Sequence, residues 1–505
     1  MKTGFDNELY IKIQSEHIQY RIKQLGGKLY LEFGGKLFDD NHASRVLPGF
    51  RPDSKIKMLT AIKDSVEAII VVNADDIAKN KARGDTGITY DMEALRLLDS
   101  FRERGMAADI IVLTQYSSQP AAVIFERRLK ALNIKVYKHY SIEGYPLDVE
   151  KIVCEKGFGK NDHIKTSKPL VVVTSPGPGS GKMAVCLSQL YHDNKKGISA
   201  GYSKFETFPI WNLPLDHPVN IAYEAATIDL GDENMIDPFH LEAYGIKAVN
   251  YNRDIEIFPV LNSILESILG ESPYKSPTDM SVNMAGYCIT DEEVVTKASR
   301  LEVIRRYYDI LKGRKQGNAS EDMVSRMESL MKNAGISTNE RKVIQAVMKR
   351  AGDLNKNVPG LETIAVSGIE LEDGRIITGK TSTLLGASSA MILNALKTIA
   401  GMDDSVLLIS PNVLQPIHVL KTENLGFRNT KLHVDEMLIA LSISALTDPL
   451  AREALEQLPK LKFCEMHSSV ILSSVEESTL KRLGFNITCE PVYQNNDLYQ
   501  GQRKF

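Results

Sequence analysis

The stretch Thr174-Ser175-Pro176-Gly177-Pro178-Gly179-Ser180-Gly181-Lys182-Met183 holds the residue types best suited to chemistry. Glycines at this spacing let backbone N–H groups converge on phosphate oxygens, and a helix opening behind them adds partial positive charge. Lys182 adds a full charge. The pattern approximates the phosphate loop G-x-x-x-x-G-K-[ST]. It departs twice: Pro176 stands at the first glycine position, with Gly177 one place later, and Met183 stands where Ser or Thr would hold Mg²⁺. A thioether is a poor ligand for a hard cation. Gly177, Gly179, Ser180, Gly181 and Lys182 are therefore expected to bind phosphate, with little support for Mg²⁺. A glycine-rich turn ending in an exposed lysine is the alternative.

Acidic clusters offer a metal ligand or a base. Gly34-Gly35-Lys36-Leu37-Phe38-Asp39-Asp40-Asn41-His42 follows a strand, where open α/β sheets place ligands, and brings Asp39 and Asp40 near His42 and Arg45. Asn73-Ala74-Asp75-Asp76 also ends a strand, so two acidic pairs could share one crevice. Asp229, with Asp232, follows a short apolar strand in the segment Ala225-Ala226-Thr227-Ile228-Asp229-Leu230 and could act as a Walker-B-like acid; a strand-ending turn is the alternative. Lys275, Ser276 and Thr278 could grip an anion. The stretch from Arg300 to Lys315 carries six basic residues (300, 305, 306, 312, 314 and 315) against two acids. It would steer an anion or form a solvated helix face. Arg83-Gly84-Asp85-Thr86-Gly87 reads as a turn. HExxH, GxSxG and the kinase HRD/DFG set are absent. Five cysteines at 154, 186, 288, 464 and 489 form no CxxC pair, so neither a disulfide framework nor a structural zinc site is expected.

The elements that must position these groups are legible in part. Leu29–Phe33, Ala68–Val72, Asp109–Thr114, Ile134–Tyr140 and Leu170–Thr174 read as strands, with helices over Tyr90–Arg104 and Pro120–Leu132 between them. Such alternation means βαβ units and a mainly parallel sheet. A capping box at Thr290 and Glu293 opens helical periodicity, followed by helices after Ser320 and after Ser337. Asn355 to Pro359 reads as a linker. Ile364 to Lys380 is a hairpin turning at Asp373-Gly374, followed by a helix from Ser388 to Ala400 and a strand Val406–Ile409. The expected division is an N-terminal α/β domain over 1–289, a helical domain over 290–355 and a C-terminal α/β domain over 356–505.

Composition narrows the function class. The 505 residues carry 61 Lys+Arg against 64 Asp+Glu, net −3, and one Trp. A broadly basic nucleic-acid surface is excluded, and no apolar run approaches the roughly 20 residues that span a bilayer. The N-terminus carries acids and no apolar core, unlike a secretory signal. A cytoplasmic protein is expected, with neither membrane nor nucleic acid as partner.

Hairpin, helix and strand over about 365–420 resemble the order of cytidine-deaminase-like folds. That resemblance implies fold without chemistry, since Ala387-Ser388-Ser389-Ala390 and Pro411-Asn412-Val413-Leu414-Gln415 lack the zinc ligands and the acid. An unrelated α/β domain remains the alternative. Leu29–Leu47, Pro176–Met183, Asp237-Pro238-Phe239-His240-Leu241-Glu242, Ser276-Pro277-Thr278-Asp279-Met280 and the hairpin together resemble a bacterial family catalogued as a domain of unknown function. The likeness runs over nearly the whole chain and implies a cytoplasmic protein without naming catalytic residues. The residues thus point to binding of a nucleotide or phosphorylated metabolite, extending to phosphotransferase-like chemistry in which Asp39, Asp40 or Asp229 supplies a base. The alternative is a non-catalytic scaffold or regulator, a homodimer joined through its C-terminal domain.

Overall fold

The structure, a computed structural model, describes residues 2–84, 86–356, 363–427 and 429–494. Asp85 of the expected turn and residues 357–359 of the expected linker lie outside the described residues. The chain divides into two compact units, Lys2–Ser299 and the residues from Arg300 onward.

In the first unit the chain runs α1 (Asn7–Gln24), β1 (Leu29–Phe33), α2 (Asn41–Val46), α3 (Ser54–Ala61), β2 (Val66–Asn73), α4 (Ala74–Ala78), α5 (Tyr90–Arg102), β3 (Ala107–Thr114), α6 (Pro120–Ala131) and β4 (Lys135–Lys138). It continues with α7 (Val149–Ile152), β5 (Leu170–Thr174), α8 (Lys182–Lys195), β6 (Gly201–Phe205), α9 (Pro218–Ala226), β7 (Asn234–Ile236), α10 (Pro238–Tyr244), β8 (Val249–Tyr251), α11 (Asn252–Leu269) and α12 (Pro277–Met280). Strands β1 to β6 form one all-parallel sheet in the order β4-β3-β2-β5-β1-β6. Their near-continuous apolar runs are what burial on both faces demands.

Alternation along the strands separates two cores. Leu29, Leu31 and Phe33 of β1 pack with α1, α3, α5 and α6 on one face. Tyr30, Val171 and Val173 pack with α8 and α11 on the other. The chain leaving β1 therefore turns to one face and the chain leaving the adjacent β5 turns to the opposite one. Adjacent strands with divergent connections open a crevice at their carboxyl ends, the usual ligand position in open α/β sheets.

Three local expectations are corrected. Residues 225–230 end α9 and continue into a short 3-10 turn, Ile228–Leu230, so no strand precedes Asp229. The helix α13 (Glu292–Lys315) is capped by Asp291, whose Oδ1 accepts from the N–H groups of Glu293 and Val294, and not by Thr290. Residues 406–409 form no strand; they lead irregularly into a helix at Pro411.

The second unit contains α14 (Glu321–Asn333), α15 (Lys342–Asn355), β9 (Val366–Glu370), β10 (Ile376–Lys380), α16 (Ala387–Ala400), α17 (Pro411–Val419), α18 (Val434–Ser444), α19 (Pro449–Glu456), β11 (Glu465–Ser468), α20 (Ser474–Arg482) and β12 (Asn486–Cys489). Its sheet runs β10-β9-β11-β12, with β9–β10 an antiparallel hairpin and β11–β12 parallel. Residues 406–409 form no strand between α16 and α17, so the deaminase-like order is not reproduced over 365–420. No helix among the described residues is long and apolar enough to cross a membrane.

Candidate functional site

The loop between β5 and α8 lies at the crevice. Gly179 (φ +73°) and Gly181 (φ +87°) adopt left-handed backbone that other residues rarely hold, and these conformations turn the strand into the helix. Gly181 is the N-cap, and no side chain bonds the first N–H groups of α8. Asp6, Asp40, Asp237 and Ser276 cap α1, α2, α10 and α12 through their side chains, whereas α3, α5, α6 and α11 share with α8 the lack of a side-chain cap. An uncapped N-terminus directs unsatisfied N–H donors and a positive dipole end at whatever occupies the crevice.

The loop is fixed from three sides. The Ser175 hydroxyl donates to the Gly177 carbonyl at 2.8 Å. Thr114 on β3 donates to the Ser180 carbonyl at 2.6 Å. Gly177 lies so close to Tyr90 that a Cβ there would overlap its hydroxyl and stand 2.6 Å from Cζ. Lys182 donates to Ser175 Oγ over a long 3.4 Å, an easily exchanged contact. Ser180 is 3% exposed, yet its Oγ has no hydrogen-bond partner. A buried hydroxyl without a partner carries a desolvation cost that a bound acceptor would relieve.

β1 contributes a residue that spacing alone did not single out. Glu32 alternates with Leu31 and Phe33 and so stands on the α8 face. It is half-buried, in register with Val173 on β5 and Lys204 on β6. Tyr202 donates to its Oε2 at 2.7 Å. Glu32 and Lys182 both act on Cys186 in the first turns of α8. Burial pushes that thiol well above its usual range, Glu32 pushes it further, and Lys182 opposes them.

Beside Glu32, the Lys204 ammonium reaches Asp254 Oδ1 and Oδ2 at 2.6 and 2.7 Å and Glu206 Oε1 at 3.1 Å. It also donates to Tyr251 Oη. Burial alone would depress Lys204, but Asp254, Glu206 and Glu32 hold it above the usual lysine range. Burial and the Asp254 charge raise the Glu206 carboxyl, with Lys204 only partly offsetting them.

The remaining sequence candidates have other duties. Asp40 caps α2 at the Ala43 N–H, 3.0 Å, and pairs with the buried Lys55 at 2.6 Å. Burial would raise its carboxyl, but Lys55 and the Ala43 N–H hold it below the usual range. Asp39 meets Arg96 at 3.4 Å. Asp75 accepts from Gln119, so the two acidic pairs have different neighbours. Asp229 is exposed on its 3-10 turn. Ser276 and Thr278 are engaged by His240 and Asp237, at 2.9 and 2.6 Å. Of the basic stretch, Arg300 pairs with Glu340, Arg305 with Glu302 and Glu465, Lys312 with Glu477, and Arg314 with Glu321. It is an ion-paired surface rather than an open basic face.

Two family models match the chain. "Domain of unknown function DUF1846, N-terminal" covers residues 3–335, and "Domain of unknown function DUF1846, C-terminal" covers 339–499. A UPF0371 protein of Corynebacterium efficiens is 53% identical over 501 residues, 99% of this chain and 100% of that one. UPF0371 proteins of Streptococcus thermophilus and Streptococcus pneumoniae are each 52% identical over 499 residues, 99% of either chain.

Proposed function

The chain belongs to the bacterial DUF1846 family, and from that premise we propose that its first unit binds a phosphorylated small molecule, a nucleotide or a phosphometabolite, on the β5–α8 loop. One observation carries this reading: an uncapped helix N-terminus, a lysine beside it and an unpartnered buried serine meet at the sheet's switch point. The phosphate accepts from the first N–H groups of α8 and from Ser180, and Lys182 neutralises its charge. Met183 leaves the loop without a Mg²⁺ ligand, so binding is expected without a loop-held metal. Phosphotransferase-like chemistry is the extension of this reading. A cytoplasmic location fits it.

The test is ligand-dependent stabilisation of the full chain. Trp211 lies within the first unit and donates to the Asn283 carbonyl at 2.9 Å, so its fluorescence follows that unit's unfolding. A phosphate ester at ten times its Kd stabilises by about 1.4 kcal/mol. Lys182→Ala is expected to remove that gain while leaving the unliganded melting point nearly unchanged. An unchanged gain would refute the loop's role.

A second reading concerns the other unit. Ile439, Ile443 and Leu446 on and just after α18 are 61%, 45% and 74% exposed. A stripe of apolar side chains this exposed favours self-association. Light scattering is expected to find a dimer that Ile439→Glu with Leu446→Glu converts to monomer; a monomeric parent would dismiss it.

A further inference from the structure

The carboxyl edge of the sheet carries a row of charges that phosphate binding leaves unused. Beyond Lys182 it runs outward through Glu32 on β1 and Lys204 on β6 to Asp254 and Glu206. Glu32 and Lys204 are register partners, which places adjacent parallel strands about 4.8 Å apart with both side chains on one face. Lys204 is held on two sides by Asp254 and Glu206, so its position is set before any ligand arrives. Glu206 lies against the backbone leaving β1. A Cβ at Gly34 would stand 2.8 Å from its Cγ and 2.9 Å from Oε1, so only glycine lets the carboxyl approach there.

We propose that Glu32, Lys204, Asp254 and Glu206 form a hydroxyl-binding subsite beside the phosphate loop, so that the ligand is the phosphate ester of a polyhydroxylated compound. The inference rests on the loop's reading as a phosphate site and adds the chemistry of the ester. The group contains three carboxyls against one ammonium. A second phosphate would be repelled, whereas ligand hydroxyls would donate to the carboxylates and accept from Lys204. Tyr251 donates to Glu206 at 2.9 Å and Tyr202 to Glu32 at 2.7 Å, which orients both carboxyls and leaves each with acceptor capacity. Among the described residues no three His, Cys, Asp or Glu side chains are disposed to hold a metal ion. The independent sign of a ligand is Ser180, 3% exposed and without a partner at the same edge.

Calorimetric titration of the full chain tests this with four probes: inorganic phosphate, ethyl phosphate, a hexose phosphate and a ribonucleoside monophosphate. Hexose phosphate is expected to bind at least about tenfold tighter than ethyl phosphate, the worth of one or two charge-assisted hydrogen bonds. Glu32→Gln and Asp254→Asn should each shrink that advantage to threefold or less while ethyl phosphate affinity stays unchanged. Lys182→Ala should weaken both esters together. Trp211 fluorescence confirms that each variant is folded. The two ester arms separate sources: a nucleotide preference assigns the hydroxyls to a ribose, a hexose preference to a free sugar phosphate. Equal binding of ethyl and hexose phosphate, both lost in Lys182→Ala, overturns the subsite and leaves the phosphate loop standing. An advantage unaltered in both carboxyl variants also overturns it. Binding of no probe overturns both readings.

Discussion

Replacing Gly177 by alanine tests the geometry that shapes the loop. The added Cβ would overlap the Tyr90 hydroxyl and stand 2.6 Å from Cζ and 3.1 Å from Cε2, where carbon contacts settle near about 3.5–4.0 Å. Either the ring retreats by about 1 Å or the loop does. Tyr90 is 7% exposed and opens α5 within the core on the first face of the sheet, so the ring has little room. Overpacking of this kind costs about 1–3 kcal/mol. Urea unfolding followed through Trp211 should record that loss. Tyr90→Ala removes all three nearby atoms, at its own cavity cost of about 3–5 kcal/mol. In that background Gly177→Ala should be nearly neutral, giving a coupling of about 1–3 kcal/mol. A Gly177→Ala loss that is the same with and without Tyr90, or no loss at all, would refute the close approach.

Two further outcomes follow from buried ionisable groups. His139, 3% exposed, has its ring pKa lowered to about 3, first by burial and then by His192, with the Asp162 carbonyl opposing. The unfolded state takes up a proton near its ordinary value while the folded state does not. The stability is therefore full above that value and falls as pH drops toward about 3. Between pH 7 and pH 5 the loss is about 2 kcal/mol, and His139→Gln should flatten it in urea titrations. A slope unchanged in that variant would contradict the assignment. In the second unit, Glu465 receives Arg305 at 2.7 Å and the fully buried Arg341 at 2.8 Å. Arg305 keeps Glu302 at 2.7 Å, but Glu465→Ala strands the Arg341 guanidinium without a carboxylate and should destabilise by about 3–5 kcal/mol, read by hydrogen exchange in β11 and β12. A loss under 1 kcal/mol would count against the network.

The central strands were legible because they are apolar on both faces: Ala68–Val72 and Leu170–Thr174 cannot be amphipathic helices of that length. The glycine loop was legible from its order. Residues 225–230 and 406–409 were misread, because short apolar runs look alike whether they become a strand, the last turn of a helix or an irregular segment. Asp40 was read as a free acid, but Asp followed three residues later by a small residue is also a helix cap, and Lys55 completes its pairing from a different helix. Glu32 was hidden inside a strand. Its significance comes from register with Lys204 and from lying next to β5, both set by crossovers spanning well over a hundred residues. No spacing rule reaches across such a connection, so half of the candidate site emerged only once the sheet order was known.

The most direct measurement is a crystal structure of the full chain with a saturating phosphate ester. The account predicts the phosphate at the N-terminus of α8, accepting from the first N–H groups and from Ser180 Oγ, with Lys182 turned from Ser175 to meet it. Density for the ester elsewhere on the chain, with the β5–α8 loop empty, would contradict it.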